Sequence, residues 1–542
     1  MLKLKTYAFI RYLMCVSTLL VGLSLVAPAS MAQGVLDQAG ELLMSNSFDD
    51  KAQAIDLLVS EDNPRTKEVL HLLLDSQLFY HKKENKLYVI TDYADGKVAK
   101  ALDGTEQVIS KKRDFKKVTL NNNLRRQIHR ILAELGLNAK SATQREHAVR
   151  DLLKDLSPET IDLLKERFTS EQDKSVREMI SLALAINDLN NSSDEAQLTQ
   201  AIKQLDGSLE QEARSALTQF ADSTKSKTLK KEAQIALKGI EDKVQYYAWL
   251  ETLYFGLSLG SVLVLAGIGL AITFGVMGVI NMAHGELIMI GAYTTYVMQL
   301  LMPDNIGLSI LVSIPAAFVV SGLVGIAIER GVIRFLYGRP LETLLATFGI
   351  SLILQQAVRS IFSPLNRSVA TPDWMSGLIQ INPVFSLTLS RLYIIIFCLM
   401  VFFLLLMVLK KTALGLQVRA VSQNRAMASA MGVRSSRVDA LTFGLGSGVA
   451  GVAGVALSQL TNVGPNLGQA YIIDSFMVVV FGGVGNLWGT LVAGLSLGVA
   501  NKIMEPWAGA VLAKILVLIF IILFIQKRPR GLFPQRGRAA EG

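Results

Sequence analysis

The chain has 542 residues, of which 51% are hydrophobic, and a formal net charge of +9. Its basic residues do not gather on one polar segment with interleaved aromatic residues, which argues against a nucleic-acid-binding protein. Residues 33–245 are polar and charged, whereas long apolar runs dominate residues 250–526. The composition therefore predicts a water-soluble domain followed by a membrane domain.

The first 32 residues have the three parts of a secretory signal peptide. A basic start precedes an apolar core at 12–26, and a small-x-small cleavage site follows at 30–32. An uncleaved signal anchor is the alternative interpretation. The chain has two cysteines, Cys15 and Cys398, so cleavage would leave one and no disulfide is expected within the mature chain.

Residues 33–245 predict a mainly α-helical domain with a small β element. Helical spacing of apolar residues covers 56–74 and 122–135, and short β-type runs at 87–90, 107–109 and 118–120 are separated by turn residues. A loose repeat follows, with a charged start and leucine or isoleucine at helical intervals: HAVRDLLKDL (147–156), SVREMISLALAI (175–186), EARSALTQF (212–220) and KEAQIALKGI (231–240). Stacked helical pairs produce such a pattern, so the domain resembles HEAT-like solenoids.

We expect no catalytic, metal or cofactor site in this chain. The histidines of the polar half lie at no metal-ligand spacing, and no nucleophile–base arrangement accompanies them. The glycine-rich sequence FGGVGNLWG at 481–489 lacks the lysine and hydroxyl residue of a nucleotide-binding loop. If ATP drives this protein, the ATPase must be another chain. The polar domain is predicted to bind or scaffold.

The membrane half predicts an all-α polytopic protein with about eight or nine transmembrane helices. The shortest candidates, 471–485 and 488–503, could be half-helices that meet at FGGVGNLWG. The full set of candidates is 250–278, 282–301, 306–329, 343–362, 391–409, 438–459, 471–485, 488–503 and 508–526. Glycine pairs spaced four residues apart, such as Gly494 and Gly498, predict close helix packing.

The basic residues predict the orientation in the membrane. Nine crossings with residues 33–245 outside would place three basic segments inside, namely 330–342, 410–437 and the tail from Lys527. Short cytoplasmic loops carry the excess of lysine and arginine, so this count agrees with the signal peptide. The predicted domains are a signal peptide (1–32), a periplasmic domain (33–245), a permease domain (246–530) and a cytoplasmic basic tail (531–542).

The sequence GIGLAITFGVMGVINMAHGELIMIGAYTTY at 267–296 places Asn281, His284 and Glu286 between two apolar runs. Ionisable groups inside a membrane usually face a bundle interior or a water-filled path. The spacing fits a pore lining, and it fits a short polar loop between two ordinary helices equally well.

Residues 411–437 form a long polar segment that is predicted to lie inside. Apolar residues at helical spacing indicate a short amphipathic helix with Gly415 and Gly432 at its bounds. A long ordered loop is often functional, and here it could receive an ATPase subunit. A membrane-surface helix held by anionic lipid is the alternative.

Three motifs resemble the permeases of branched-chain amino acid ABC importers. They are INMAHGELIMIGAY (280–293), TALGLQVRAVSQNRAMASAMGV (412–433) and VVVFGGVGNLWGTLVAG (478–494). The segment 269–296 is especially similar to the subgroup found in urea importers, which this chain also resembles in its signal peptide and long polar N-terminal region. The likeness covers about residues 250–535 through motifs, and residues 33–245 through layout alone.

The resemblance implies a subunit of an importer in the bacterial inner membrane. Its partners would be a second related permease, cytoplasmic ATPase subunits, a periplasmic binding protein and membrane lipid. By likeness to the family's coupling segment, an ATPase would contact the residues Gly415, Arg419, Ala420, Ala426 and Gly432.

The resemblance also suggests urea, or a related small amide, as the solute moved by alternating access. Amide, hydroxyl and neutral imidazole groups suit such a solute, so the hypothetical path residues are Asn281, His284, Glu286, Thr347 and Gln355. Gln355 could instead be tied to a neighbouring helix. A branched-chain amino acid is the alternative cargo, and a passive channel or ion-coupled carrier using Glu286 or Asp474 is a third reading.

Overall fold

The computed structural model describes residues 38–533, apart from 61–64, 85, 92, 94–96, 103–104 and 110. The chain divides into two compact units, Met1–Glu241 and Asp242–Gly542. The predicted signal peptide and residues 534–542 of the predicted tail lie outside the described residues.

The first unit opens with helices and a five-stranded antiparallel sheet. Its elements are α1 (Phe48–Ser60), α2 (Thr66–Leu74), β1 (Leu78–His81), β2 (Lys86–Val89), β3 (Val98–Ala101), β4 (Glu106–Val108) and β5 (Phe115–Lys117). The strand order is β4-β3-β2-β1-β5. Because successive side chains alternate between faces, Leu78 and Leu87 join a core with the helices, while Phe79, Tyr88 and Phe115 form a second core.

Six helices follow the sheet: α3 (Asn122–Leu137), α4 (Ala142–Leu152), α5 (Pro158–Ser170), α6 (Lys174–Asn191), α7 (Glu195–Leu205) and α8 (Gln211–Ser223). Side chains of Asn121, Ser157, Asp173 and Asp194 accept hydrogen bonds from the first turns of four of them, which fixes where those helices begin. Helix α6 packs against α4, α5, α7 and α8. Contact with the nearest two neighbours on each side is the pattern of stacked helical pairs.

Glu171 joins two helices of this bundle through a buried ion pair. Both of its carboxylate oxygens accept hydrogen bonds of 2.9 Å from the Arg145 guanidinium, and Arg167 lies 3.2 Å away. The amides of Gln172 and Asp173 donate to the same carboxylate. The Arg145 hydrogen bonds are the main reason that the pKa of Glu171 falls from 4.5 to about 2.

We expect the Glu171 pair to make the α4–α6 region sensitive to acid. A folded-state pKa below the unfolded value means that this stabilisation is fully present above about pH 4.5 and is lost as the pH falls through about 2. Hydrogen exchange of α4–α6 in the intact chain, corrected for intrinsic rates, should show protection falling across that window. Glu171→Gln should reduce protection at neutral pH and flatten this pH dependence, whereas Asp151→Asn, at an exposed ion pair, should not. Equal pH profiles for the wild type and Glu171→Gln would contradict the assignment.

The second unit is almost entirely helical. Its first helix, α9 (Lys227–Met277), starts before Asp242, the first residue of the unit. The following elements are α10 (His284–Leu301), α11 (Ile306–Gly331), α12 (Pro340–Phe362), β6 (Leu378–Asn382), β7 (Phe385–Thr388), α13 (Leu389–Lys411), α14 (Ala413–Gln423), α15 (Arg425–Ala430), α16 (Ser435–Ser458), α17 (Leu467–Gly482) and α18 (Leu487–Lys527). Strands β6 and β7 pair as an antiparallel hairpin. The mainly helical prediction is confirmed for both units.

Six described helices are long and apolar enough to cross a membrane: α9, α11, α12, α13, α16 and α18. Three features account for the difference between these six helices and the nine candidate spans. Helix α17 has only 16 residues, and α10 carries the polar cluster in its first turn. Helix α18 also covers two predicted spans, 488–503 and 508–526, with a break at Gly509 (φ 77°, ψ 160°) after Pro506. Helices α17 and α18 meet at FGGVGNLWG as expected.

Helix α16 lies in the interior of this unit, between α10 and α11. A Cβ atom at Gly291 of α10 would lie 2.0 Å from the Gly451 carbonyl oxygen of α16, and one at Gly454 would lie 2.0 Å from the Ile288 oxygen. The two helix backbones are therefore in direct contact, which only residues without a side chain permit. Gly498 of α18 meets Gly260 of α9 in the same way.

Candidate translocation site and coupling segment

The polar cluster between the two apolar runs is buried and spans a short non-helical connection, which holds Asn281, and the first turn of α10, which holds His284 and Glu286. Helix α9 ends at Met277, Gly278 adopts φ 65°, and α10 begins at His284. The Asn281 side-chain oxygen accepts a 3.0 Å hydrogen bond from the Ala283 amide and so shapes the turn. Asn281, His284 and Glu286 are at most 1% exposed. Asn281 thus lies in a short connection between two helices, as the loop interpretation expects, but this connection is buried.

Each of these three side chains uses only part of its hydrogen-bonding capacity. The His284 Nε2 donates to the Ala266 carbonyl oxygen on α9 at 2.8 Å, and one Glu286 oxygen accepts from the Ser351 hydroxyl at 3.1 Å. Among the described residues, Asn281 Nδ2, His284 Nδ1 and Glu286 Oε2 have no protein partner. Buried polar atoms are normally paired, so one donor and two acceptors in this short stretch could serve water or a polar solute.

Helix α12 presents a line of uncharged polar side chains to the interior. We call Thr343, Thr347, Ser351 and Gln355 the polar stripe, and all four are at most 6% exposed. They are spaced four residues apart, so each lies close to the next one along the buried part of the helix. The other side is apolar and exposed, as at Ile353. An apolar exterior with a polar inner line is the arrangement expected beside an intramembrane path.

Three different neighbours contact the polar stripe. The Met282 amide donates to the Thr347 hydroxyl at 3.2 Å, and Ser351 donates to Glu286. The Gln355 amide donates to the Asn466 side-chain oxygen at 3.1 Å and to the Pro465 carbonyl oxygen at 3.3 Å. Gln355 is therefore tied to the segment before α17. The structure brings Thr347 and Glu286 to one region and places Gln355 further along the stripe.

Sequence reasoning missed Thr343, Ser351, Arg359 and Asn466. Arg359 continues the four-residue spacing and donates to the Asn466 side-chain oxygen at 2.7 Å. Polar residues at every fourth position of an otherwise apolar segment were the available signal for the residues on α12. Nothing in the local sequence singles out Asn466.

Asp474, a candidate for ion coupling, has a defined partner. Its carboxylate accepts a 3.0 Å hydrogen bond from the Lys514 ammonium, which links α17 to α18. Lys514 also lies 5.7 Å from the centre of the Tyr471 ring. This contact gives Asp474 a role in joining two helices.

The polar segment at 411–437 forms two short helices rather than one. Side chains of Thr412 and Asn424 cap α14 and α15, so the chain breaks between them. Gly415 lies inside α14, where a Cβ atom would be 2.0 Å from the Leu409 carbonyl oxygen of α13. Gly432 adopts φ 87° in the turn to α16. We call α14 and α15 together the coupling segment.

The coupling segment is fixed to the membrane helices at Arg425. Arg425 is the first residue of α15. Both terminal nitrogens of its guanidinium donate hydrogen bonds to the Asp439 carboxylate on α16. The same guanidinium lies 4.0 Å from the centre of the Tyr337 ring, in the connection between α11 and α12. Asp439 is 2% exposed. This partly buried pair therefore connects a surface helix to the central helix of the unit.

The chain matches a known family across this second unit. Residues 252–525 match the family model described as branched-chain amino acid transport system / permease component. The chain belongs to this permease family. Residues before 252 lie outside the matched range. No solved structure matches the chain.

Several curated permeases are similar in sequence to about half of this chain. The high-affinity branched-chain amino acid transport system permease protein BraD of Pseudomonas aeruginosa is 32% identical over 302 residues, which cover 53% of this chain and 96% of that protein. The corresponding protein LivH of Escherichia coli K12 is 29% identical over 300 residues, with the same two shares. A probable LivH of Methanocaldococcus jannaschii is 26% identical over 290 residues, covering 50% and 88%. This chain is thus a membrane permease subunit of an ABC-type system, in which the ATPase is a separate component.

Proposed function

We propose that this chain is the permease subunit of an ATP-driven importer that moves a small polar solute along the polar stripe. The observation that supports the proposal is the buried line of hydroxyl and amide groups on α12, which faces the Glu286 carboxylate across the start of α10. Such groups replace hydrogen bonds that a solute loses on leaving water. No covalent chemistry is assigned to the chain.

Urea is the first candidate cargo. It is uncharged, with amide donors and a carbonyl acceptor, and the four side chains of the polar stripe are uncharged donors and acceptors of matching kind. The similarity of residues 269–296 to the urea-importer subgroup supports the same cargo. Selection could also lie in a separate binding protein, since both candidate solutes are small.

A branched-chain amino acid is the second candidate. The printed names of the curated relatives refer to that cargo. Two charged residues also lie along the stripe: the Glu286 carboxylate faces Ser351, and the Arg359 guanidinium lies beyond Gln355 at one end. A carboxylate suits an ammonium group, and a guanidinium suits a carboxylate.

The proposed assembly contains a second related permease, two cytoplasmic ATPase subunits and a periplasmic binding protein. The ATPase would contact the coupling segment around Gly415, Arg419, Ala420, Ala426 and Gly432. The chain would lie in the bacterial inner membrane, with residues 33–245 in the periplasm and the C-terminus in the cytoplasm. ATP-dependent movement of the coupling segment would then bias the helices between inward and outward access.

Uptake of labelled urea and labelled leucine, in cells with and without this chain, tests the function and separates the two cargoes. Ser351→Val should lower uptake of the true cargo at least about tenfold, since it removes a hydroxyl that faces Glu286. The matched control is Ile353→Val on the exposed side of α12, which should transport normally.

Three results would contradict parts of the proposal. Loss of leucine uptake alone in the cells without the chain would discard urea. Normal uptake by Ser351→Val would remove the polar stripe from the path. Uptake by purified chain without any ATPase would favour a passive channel or an ion-coupled carrier.

A further inference from the structure

A cavity of about 360 Å³ lies where four elements of the second unit meet. The end of α9, the end of α13, the coupling helix α14 and the start of α18 form its walls. Most of the lining is apolar, and the largest apolar side chains are Ile272, Val276, Leu406, Leu409, Leu487 and Trp488. The polar stripe takes no part in this lining.

Two cations line this cavity without an acidic residue beside them. They are Lys410 at the end of α13 and Arg419 on α14. Among the described lining residues none is acidic, and neither cation forms an ion pair within the part of the chain that the structure describes. Arg419 donates to the carbonyl oxygen of Leu409, the residue before Lys410 in the chain. Paired positive charges in a partly apolar cavity favour an anionic ligand.

The position of the cavity along α13 indicates where that ligand comes from. Helix α13 carries no charged residue between Arg391, near its start, and Lys410 and Lys411, its last two residues. Basic residues at the end of a membrane helix lie at the level of the lipid headgroups, and tryptophan is enriched there. The Trp488 side chain is 46% exposed and packs edge-on against Phe402 of α13, with ring centres 5.2 Å apart. The cavity therefore lies at the level of the lipid headgroups, and its lining contains two cations and an apolar wall.

We propose that this cavity binds one anionic phospholipid. The lipid phosphate lies between Lys410 and Arg419. The Asn486 side-chain amide donates one hydrogen to the Phe533 carbonyl oxygen and has a second for the phosphate. The first part of an acyl chain follows the apolar wall at Leu406 and Trp488. A soluble anion would pair with the two cations but would leave the apolar wall exposed to water. The acyl chain of a lipid would cover that wall, and this difference favours a lipid.

The proposed lipid would contact the coupling segment directly. Gly415, Val418, Arg419 and Ser422 all come from α14, and all line the cavity. If that segment receives the ATPase, which rests on the proposed function, the lipid composition of the membrane would alter coupling. The binding itself does not depend on the cargo or on the ATPase.

Native mass spectrometry of the intact chain in detergent tests the site, with phosphatidylglycerol and phosphatidylcholine as probes. Phosphatidylglycerol should bind with one tight equivalent, and the double variant Lys410→Gln/Arg419→Gln should weaken that equivalent at least about tenfold. Lys411→Gln is the matched control, because it removes the same charge one residue away and does not line the cavity. It should bind as the wild type does.

A second variant keeps the test valid if the double variant folds poorly. Ser422→Phe retains both cations and fills the cavity, so it should also remove the tight equivalent. Equal binding of the two lipids, or tight binding that survives both variants, would overturn the proposal. Displacement of phosphatidylglycerol by equimolar inorganic phosphate would overturn the lipid assignment in favour of a free phosphate. Displacement by an acidic peptide alone would assign the cavity to a protein partner instead.

Discussion

Gly291→Val should prevent the membrane unit from folding stably. The new side chain would begin 2.0 Å from the Gly451 carbonyl oxygen, and this atom belongs to the backbone of α16 and cannot rotate away. Overpacking against side chains commonly costs about 1–3 kcal/mol, and separating two helix backbones should cost about 4 kcal/mol or more. The yield of the intact chain in detergent and its thermal unfolding midpoint measure this effect.

Gly349→Val provides the matched control for this prediction. Gly349 lies inside α12, and a Cβ atom there would have nothing within 4 Å. Both variants make the same change in helix propensity, so the difference between them reports the contact of α10 with α16. Unfolding midpoints within a few degrees of each other would show that the two backbones do not touch as described.

If the coupling segment receives an ATPase subunit, as proposed above, Arg425→Ala should uncouple transport from ATP hydrolysis. The change leaves the Asp439 carboxylate buried without its main partner and removes the cation from the Tyr337 ring. Because Arg425 is about one-third exposed, we expect destabilisation of about 2–3 kcal/mol, below the value for a fully buried pair. Helix α15 would then no longer be fixed to α16. Uptake by the complex should fall at least about tenfold while its ATPase activity persists.

A second substitution separates a loss of stability from a loss of coupling. Arg425→Met with Asp439→Asn removes the buried charge, so it should recover most of the unfolding midpoint without restoring uptake. Arg434→Ala is the control, since Arg434 is exposed in the turn between α15 and α16. Normal uptake by Arg425→Ala would show that this pair only stabilises the fold.

Local sequence was sufficient for most of the helices and insufficient for parts of the sheet. Helix periodicity located α4, α6 and α8, because the apolar residues that each helix buries recur at helical spacing within its own short sequence. Strand β5 occupies 115–117 instead of the expected 118–120, since its place is set by pairing with β1, more than thirty residues away. The coupling segment was expected as one helix, but Asn424 caps a second helix within it.

The candidate site was predicted only in part, for a related reason. Asn281, His284 and Glu286 stood out because polar residues are rare within apolar runs. Ser351 and Thr343 stand out only when the four-residue spacing is followed along the whole of α12. The pairing of Arg425 with Asp439 depends on how α15 returns to α16, and Tyr337 joins from a segment more than eighty residues away. Such contacts are properties of the packed structure.

The four-residue spacing on α12 gives the polar stripe a twist of its own. An α-helix turns about 100° per residue, so each step of four advances the stripe by roughly 40°, and Thr343 and Gln355 differ by about 120° around the axis. One straight neighbour therefore cannot cover the whole line. Met282, Glu286 and Asn466 instead each serve a different sector. Moving one of these neighbours would therefore uncover one part of the polar stripe and leave the other parts covered. The stripe could thus be exposed in successive steps along α12.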